Sequence, residues 1–255
     1  MTLDLNHRVI RTNTEVSGPS VLLIHGFASS GDLNWERARW TTYLNDHGRN
    51  VILIDLPGHG ENPFRNDGSW APSQIRQALA AIVIELDEGP VDVLGYSLGS
   101  RLAWEFAAWN PDLVNHLVMG GPGANDLLAG FAIEQARDHI ATGAAINDEH
   151  SESIFKIASA EPSNDPEALF RLIEGIKTEP FDPAAKVPTS PTLLVAGDQD
   201  DLATTMPQLR RLLKDAGTRN EVLWLAGRNH ANAVTSREFK EKAIQFIHPR
   251  NHLSH

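Results

Sequence analysis

The chain has 255 residues, of which 33 are acidic and 22 basic, so its formal net charge is −11. Its hydrophobic content of 41%, with 19 glycines and 15 prolines, excludes collagen, coiled-coil and disordered chains and supports one sizeable buried core. The absence of cysteine excludes disulfides, thiolate metal sites and a cysteine nucleophile, and the negative charge argues against a nucleic-acid partner.

Short apolar runs alternate along the chain with longer segments in which apolar residues recur at helical spacing. An antiparallel edge strand is predicted over residues 7–16. Six further strands are predicted over residues 21–24, 51–54, 91–94, 116–119, 192–195 and 221–225. Helices are predicted over residues 35–47, 72–86, 98–109, 204–216 and 236–247. Strand runs that are apolar on successive residues are typical of parallel strands covered on both faces, so we expect an α/β fold with a mostly parallel central sheet and helices on both faces.

A long helical stretch interrupts this alternation between the fourth and fifth of these apolar strands. Its predicted helices cover residues 131–146, 151–160 and 166–176, and a structureless loop of this length would be unusual. We therefore expect a helical cap, inserted before the late strands. The cap comprises residues 124–190 and the core residues 1–123 and 191–255. The alternative is that these helices simply cover the sheet.

No membrane segment is expected, because the longest apolar runs fall far below the roughly 20 residues that a bilayer-spanning helix needs. The first residues lack the basic start and the apolar stretch of a signal peptide, so we expect a cytoplasmic protein without a membrane partner. His248, His252 and His255 are spaced like metal ligands, but a polar tail of this kind is typically exposed to solvent. We expect no metal and no cofactor, and the sequence leaves the oligomeric state open.

The strand predicted at residues 91–94 leads into the pentapeptide Gly95-Tyr96-Ser97-Leu98-Gly99, and a helix begins immediately. A serine at such a sharp turn projects its hydroxyl above the sheet edge, and the glycines allow neighbouring backbone to pass close by. The start of the helix also favours developing negative charge. Ser97 is therefore the candidate nucleophile.

A nucleophilic hydroxyl needs a base, and the base needs an orienting carboxylate. One late strand runs into Asp198, Asp200 and Asp201, and the next strand runs into His230. Both groups follow the carboxyl ends of parallel strands, where open α/β sheets gather their sites. We assign His230 as the base and Asp200 as the acid, with Asp198 and Asp201 as the alternatives for the acid.

Acyl transfer also needs hydrogen-bond donors for the oxyanion. One donor is expected from the N–H of Leu98, directly after the nucleophile. The second is expected after the first parallel strand, where Gly26 lets the turn fold back over the nucleophile. The N–H of Phe27 is the preferred candidate there, and the N–H of Ala28 is the alternative. His25 directly follows a buried strand, so we interpret it as a structural residue rather than a base.

Together these features resemble the α/β-hydrolase superfamily, and in particular its capped, single-domain serine hydrolases of carboxylesterase type. The matching segments, in the family's order, are His25-Gly26-Phe27, Asp55-Leu56-Pro57-Gly58-His59-Gly60, Gly95-Tyr96-Ser97-Leu98-Gly99, residues 197–200 and His230. The resemblance implies the catalytic order Ser97, Asp200, His230. Two departures concern the loop around the histidine: Asn229 stands where the family often has glycine, and residues 231–234 lack the acidic residue common there.

The serine nucleophile excludes the dehalogenase and epoxide hydrolase branches of this superfamily, which use an aspartate. The residues around Ser97 also resemble a menaquinone-pathway synthase that eliminates pyruvate with the same triad. In that family an arginine four residues after the serine helps to bind carboxylates. Arg101 occupies this position, and it is either a substrate-binding residue or a helix residue in an ion pair.

The predicted cap carries twelve acidic and five basic side chains, which gives it a net charge of −7. Such a surface would repel a multiply anionic substrate, a coenzyme A thioester or an acidic carrier protein. The favoured function is therefore hydrolysis of a carboxylic ester of small or medium size that is neutral or singly charged. A pyruvate-eliminating lyase, a thioesterase or lactonase, and a ligand receptor with a hydrolase fold are the alternatives.

Overall fold

The computed structural model describes residues 5–62 and 70–248, so His252 and His255 of the predicted exposed tail lie outside the described residues. The strands are β1 (His7–Ile10), β2 (Val21–Ile24), β3 (Val51–Ile54), β4 (Val91–Tyr96), β5 (Val114–Gly120), β6 (Thr192–Gly197) and β7 (Asn220–Leu225). They form one sheet with the spatial order β1-β3-β2-β4-β5-β6-β7. β1 pairs antiparallel with β3, and the other pairings in this sheet are parallel.

The helices between and after these strands cover both faces of the sheet. They are α1 (Trp40–Asp46), α2 (Pro72–Glu85), α3 (Leu98–Trp109), α4 (Ile133–Thr142), α5 (Glu149–Ser159), α6 (Pro166–Lys177), α7 (Met206–Asp215) and α8 (Arg237–Ile247). Within the described ranges, none of them has the length and apolar character needed to cross a membrane. The predicted α/β fold class with a mostly parallel sheet is confirmed.

Two of the differences between the predicted and the observed element boundaries have a clear local reason. The edge strand ends at Ile10, because its pairing with β3 ends where Ile10 lies opposite Val51, the first residue of β3. The helix predicted over residues 35–47 is interrupted, because Arg39 adopts a left-handed conformation with φ 61°. A π-helical turn over Asp32–Glu36 precedes the interruption, and α1 follows it.

The apolar runs become buried strands because each face of the sheet is covered by large apolar side chains. All four residues of β2 and all four of β3 are buried. On one face Trp104 and Phe106 of α3 are buried, and on the other Trp40 of α1 packs edge-on against Phe239 of α8. Burying one large apolar side chain contributes about 1.5–3 kcal/mol to folding. β7 departs from this pattern, because it lies at the edge of the sheet opposite β1 and Trp224 is 45% exposed.

Between β5 and β6 the chain leaves the sheet and forms α4, α5 and α6. We call residues 124–190 the α4–α6 insertion. Its helices pack around the buried ring of Phe170, whose centroid lies 5.6 Å from that of Phe131. Arg137 of α4 forms an ion pair with Glu167 of α6 at 2.8 Å. The insertion is therefore held by its own apolar contacts and ion pairs as well as by contacts with the core.

A buried ion pair fixes the amino-terminal edge of the sheet. The Arg49 guanidinium, which is fully buried, pairs with Asp92 of β4. Its Nε also donates to the carbonyl of Pro19 at 2.7 Å, and Asp92 accepts from Asn115 at 3.0 Å. These hydrogen bonds tie the segments before β2 and β3 to β4 and β5. Buried charges require such partners, because removing one leaves the other uncompensated.

We predict that Arg49→Met lowers the free energy of unfolding by about 3–5 kcal/mol, because it leaves the Asp92 carboxylate buried without its cation. The control is Arg37→Met, which removes an ion pair whose side chains are 67% and 51% exposed. This control should change the free energy of unfolding by less than about 1 kcal/mol. Urea denaturation followed by circular dichroism measures both, and equally small losses would contradict the structural role of the buried pair.

Candidate active site

Ser97 lies between the last residue of β4 and the first residue of α3. Its backbone has φ 55° and ψ −116°, a conformation that residues other than glycine rarely adopt. The turn is held in place because the N–H of Ser97 donates to the carbonyl of Gly120 at 2.9 Å. The strained turn is thereby tied to the end of β5, and Ser97 lines a cavity at this edge of the sheet.

The two glycines that flank the serine are required by close backbone contacts. A Cβ atom on Gly99 would lie 2.0 Å from the carbonyl oxygen of Ile24, and one on Gly95 would lie 2.2 Å from the carbonyl oxygen of Gly99. Larger residues at these positions would push α3 away from β2 and β4. The glycines therefore place the loop after β2 directly beside Ser97.

The structure brings the three residues predicted for a catalytic triad together. His230 Nε2 lies 2.8 Å from Ser97 Oγ, and His230 Nδ1 lies 3.0 Å and 2.9 Å from the two carboxylate oxygens of Asp200. Because an ionised carboxylate only accepts hydrogen bonds, Nδ1 carries the proton and Nε2 presents its lone pair to the hydroxyl. This is the arrangement that general-base activation of a serine needs.

The acidic neighbours of Asp200 have other positions. Asp198 accepts a hydrogen bond from the N–H of Gly227 at 2.8 Å, which joins the ends of β6 and β7. Asp201 is exposed and begins a short 3-10 turn. Of these three carboxylates, only that of Asp200 lies within hydrogen-bonding distance of His230, and its side chain is fully buried.

The loop that carries His230 is fixed by hydrogen bonds that were not predicted from the sequence. The N–H of Asn229 donates to Oδ1 of Asn232 at 3.0 Å, and the N–H of Asn232 donates to Oδ1 of Asn229 at 3.1 Å. The hydroxyl of Tyr96 donates to the carbonyl of His230 at 2.5 Å. Burial, with the nearby charge of Asp200, raises the pKa of Tyr96, so the hydroxyl stays a donor. The Asn-x-x-Asn spacing was the available sequence signal, since asparagine side chains often cap turns.

Side chains accept hydrogen bonds from the N–H groups on either side of Phe27. The N–H of Gly26 donates to Oδ1 of Asn34 at 3.2 Å, and the N–H of Ala28 donates to Nε2 of His59 at 2.9 Å. Among the described residues, the N–H of Phe27 has no acceptor. The alternative donor predicted from the sequence, the N–H of Ala28, is thus already engaged, and the N–H of Phe27 remains available.

Leu98 provides the second candidate donor. It is the first residue of α3, so its N–H has no carbonyl one turn earlier in the helix to bind. Leu98, Phe27 and Ser97 line the same cavity. The two N–H groups, together with the positive end of the helix dipole, are suited to hold a negatively charged oxygen beside Ser97.

Two fully buried histidines connect the loops after β2 and β3. His25 Nδ1 donates to the carbonyl of Gly26 at 2.7 Å, and its Nε2 accepts from the N–H of Leu56 at 3.0 Å. His59 Nδ1 donates to the carbonyl of Pro57 at 2.9 Å. Burial lowers the pKa of His25 to about 4 and that of His59 to about 3. Both rings are therefore neutral at pH 7, and His25 has the hydrogen bonds expected of a structural residue.

Ser97 and His230 line a cavity of about 340 Å³. Much of its wall is apolar and comes from the α4–α6 insertion, including Leu127, Leu128 and Ile154. Such a lining favours the hydrocarbon part of a small or medium-sized ligand over a strongly hydrated one.

The predicted substrate-binding residue Arg101 lies in the wall of this cavity but has protein partners on each guanidinium nitrogen. Nη1 donates to Asp126 at 2.7 Å, Nη2 donates to the carbonyl of Glu179 at 2.5 Å, and Nε donates to Glu105 at 3.3 Å. Burial raises the pKa of Glu105, although the charge of Arg101 opposes that shift. Asp126 also lines the cavity, so the charge of Arg101 is largely balanced where a ligand would lie.

Comparison with known proteins agrees with this architecture. A family model described as alpha/beta hydrolase fold matches residues 19–144. The chain is 36% identical over 103 residues to Esterase Rv0045c of Mycobacterium tuberculosis, and 36% identical over 106 residues to a pimeloyl-[acyl-carrier protein] methyl ester esterase of Methylococcus capsulatus. These matches cover 40% and 42% of the chain. They span only 33% and 38% of the two relatives' own lengths.

Solved structures match over nearly the full length. MenH from S. aureus has a TM-score of 0.72 at 18% identity, over 94% of this chain and 97% of that one. A thermophilic esterase from Thermogutta terrifontis has a TM-score of 0.72 at 22% identity, over 94% and 91% of the two chains. The resemblance to the α/β-hydrolase fold superfamily inferred from the sequence is confirmed.

The two buried histidines predict acid sensitivity of the folded state. Each has a native pKa below its ordinary value of 6.5, so the unfolded chain binds more protons as the pH falls from 6.5 towards 4. Each histidine should therefore lower the free energy of unfolding by up to about 1.4 kcal/mol per pH unit in this window, and this stability is present in full above it. Urea titrations of wild type and His59→Gln from pH 7 to about pH 4 compare the slopes. An unchanged slope in the variant would contradict the burial of a neutral His59.

Proposed function

We propose that this chain, which has the α/β-hydrolase fold, is a serine hydrolase that cleaves a carboxylic ester of small or medium size through an acyl-enzyme intermediate. The observation that carries the proposal is the hydrogen-bonded series from Asp200 through His230 to Ser97, which ends in a cavity beside two free N–H donors. Relatives named esterase and methyl ester esterase support the same reaction type.

In the first half of the reaction, Ser97 Oγ attacks the ester carbonyl while His230 Nε2 takes the hydroxyl proton. The buried carboxylate of Asp200 stabilises the resulting imidazolium and keeps Nδ1 protonated. The carbonyl oxygen becomes an oxyanion and receives the N–H groups of Phe27 and Leu98. One preorganised donor of this kind is worth a factor of about 10² to 10³ in rate.

In the second half, His230 returns the proton to the leaving alcohol as the carbon–oxygen bond of the ester breaks. Water then attacks the acyl-enzyme and gives a proton to His230. His230 passes this proton to Ser97 Oγ as the bond between the acyl group and the serine breaks, so the carboxylic acid is released and the free serine is regenerated. His230 acts as the general base and the general acid in both halves of this scheme.

The α4–α6 insertion acts as a cap in this proposal. Ser153, Ile154 and Ile157 of α5 line the same cavity as Ser97, so the insertion forms part of the substrate-binding wall. Its apolar side chains favour hydrocarbon on the acyl or alcohol side of the ester. Its net charge of −7, from twelve acidic and five basic side chains, disfavours polyanionic substrates.

The engagement of Arg101 bears on the pyruvate-eliminating lyase that the sequence left open. A polycarboxylate anchor needs a guanidinium with free donors, whereas Arg101 donates to Asp126, Glu105 and a backbone carbonyl. A substrate carboxylate would have to displace a buried ion partner, at a cost in desolvation. These contacts favour the ester hydrolase over the lyase.

Replacement of the proposed triad residues should abolish ester turnover without unfolding the chain. Ser97→Ala and Asp200→Asn should each lower kcat for p-nitrophenyl esters by a factor on the order of 10⁴, since they remove the nucleophile and favour the wrong histidine tautomer. Asp198→Asn and Asp201→Asn are the matched controls and should retain most of the activity. If Asp198→Asn proved to be the most damaging aspartate variant, the assignment of the acid would be wrong. The same assay with thioesters and lactones as substrates tests the thioesterase and lactonase alternatives.

The charge of the cavity and cap predicts a preference for neutral esters. A succinate half-ester, which carries a free carboxylate, should have a lower kcat/KM than its neutral analogue in which that carboxyl is methylated. The difference should shrink as the salt concentration is raised above about 0.1 M, because charges are then screened within about 10 Å. Initial rates over a salt series provide the measurement. Preferential turnover of the half-ester, lost in Arg101→Met, would instead support a carboxylate-binding role for Arg101.

A further inference from the structure

The backbone of Ala28, directly after the proposed oxyanion donor Phe27, is held on both sides by side chains. Ala28 has φ 58°, a left-handed conformation that is disfavoured for alanine. Its N–H donates to Nε2 of His59 at 2.9 Å, and its carbonyl accepts from Nδ2 of Asn164 at 3.0 Å. An unfavourable conformation persists only where its surroundings hold it in place, and these two hydrogen bonds provide that restraint.

The two restraining side chains come from different parts of the fold. His59 belongs to the loop after β3, within the core. Asn164 belongs to the turn between α5 and α6, within the α4–α6 insertion, and its amide also donates to the carbonyl of Ala158 at 3.3 Å. The hydrogen bond from Asn164 to Ala28 therefore links the insertion to the loop after β2, across 136 residues of sequence.

Apolar contacts accompany this hydrogen bond. Ala28, Ala158 of α5 and Leu169 of α6 form a small buried cluster of their own, and Phe27 packs against it. The ring of Phe27 also lies edge-on to that of His59, with centroids 5.9 Å apart. Phe27 and Ala28 thus lie between the core and the insertion, and the contact surface includes Phe27, whose N–H is free.

We propose that Asn164 is a positioning residue that makes the orientation of the Phe27 N–H depend on how the insertion is seated on the core. The inference rests on the proposed function, because it assigns the Phe27 N–H to the oxyanion. When the insertion is seated, Asn164 fixes the Ala28 carbonyl, whose peptide unit carries the N–H of Ser29. That N–H donates at 3.3 Å to the carbonyl of Gly26, which belongs to the same peptide unit as the Phe27 N–H. When Asn164 is not seated, the Ala28–Ser29 peptide unit loses this side-chain restraint.

Two variants and one matched control test this proposal. Asn164→Asp is nearly isosteric but replaces both N–H donors with an acceptor, and Asn164→Ala removes the side chain without adding charge. The control is Ser163→Ala, one residue earlier in the same turn, whose hydroxyl donates to Glu161 at 2.9 Å on the exposed surface. If the Asp variant fails to fold, the Ala variant gives the same test.

We expect both Asn164 variants to lower kcat for a neutral ester by about 10-fold while KM changes by less than about threefold, because a displaced oxyanion donor acts only in the transition state. Inhibition by a matched trifluoromethyl ketone, which forms an oxyanion on the serine, should weaken by about the same factor. Ser163→Ala should keep wild-type values, and the melting temperatures should agree within a few degrees. Unchanged kcat in both Asn164 variants, or a loss of kcat that follows a fall in melting temperature, would overturn the proposal.

Hydrogen exchange separates this inference from the proposed function. Amides of residues 25–30 should exchange faster in both Asn164 variants than in wild type or Ser163→Ala, while amides of β4 should be unchanged. This readout needs no substrate. Faster loop exchange without any ester turnover in wild type would place the failure in the proposed function, whereas unchanged loop exchange would show that Asn164 does not position the loop.

Discussion

The hydrogen bond between Ser97 and His230 joins side chains that are 133 residues apart in sequence, at a distance of 2.8 Å. A hydrogen bond of this kind weakens steeply when the atoms move by a few tenths of an ångström or the angle closes. The backbones at the ends of β4 and β7 must therefore be held accurately with respect to each other. The bond from Tyr96 to His230 connects these ends directly, and the bond from Ser97 to Gly120 ties the serine turn to the end of β5. The paired Asn229 and Asn232 shape the turn that carries His230.

The distribution of charge divides the molecule into two regions. The chain carries a net charge of −11, and much of the acidic excess lies in the α4–α6 insertion. Inside the cavity, by contrast, the guanidinium of Arg101 is balanced by Asp126 at 2.7 Å, and the surrounding wall is rich in leucine and isoleucine. A long-range field that repels anions and a cavity without a free cation among the described residues act in the same direction. Both favour ligands that carry little net charge.

Much of the fold and the meeting of Ser97, Asp200 and His230 could be predicted because their signals are local. Ser97, Asp200 and His230 each follow a short apolar run, and parallel strands bring the ends of such runs to one edge of the sheet. The contacts that tune the site lack a local signal. The bond from Asn164 to Ala28 spans 136 residues, and the bond from Tyr96 to His230 spans 134 residues. Their partners become visible only when the strands and the insertion are assembled.

The alternatives for the oxyanion donor show the same distinction. The sequence favours Phe27 over Ala28 as the donor after β2, but the two residues are adjacent and the spacing alone leaves both open. The choice depends on His59, which arrives from a different loop and occupies the Ala28 N–H at 2.9 Å. Arg39 is a comparable case, since its left-handed conformation breaks a segment whose apolar spacing is typical of one continuous helix.

Intact mass spectrometry with peptide mapping tests most directly whether Ser97 forms a covalent acyl-enzyme. The protein is mixed with a p-nitrophenyl ester, quenched in acid within the first turnovers, and digested. We expect a mass increase equal to that of the acyl group, located on the peptide that contains Ser97 and absent from Ser97→Ala. Ester hydrolysis that proceeds with an acyl group on another residue, or unchanged in Ser97→Ala, would contradict it.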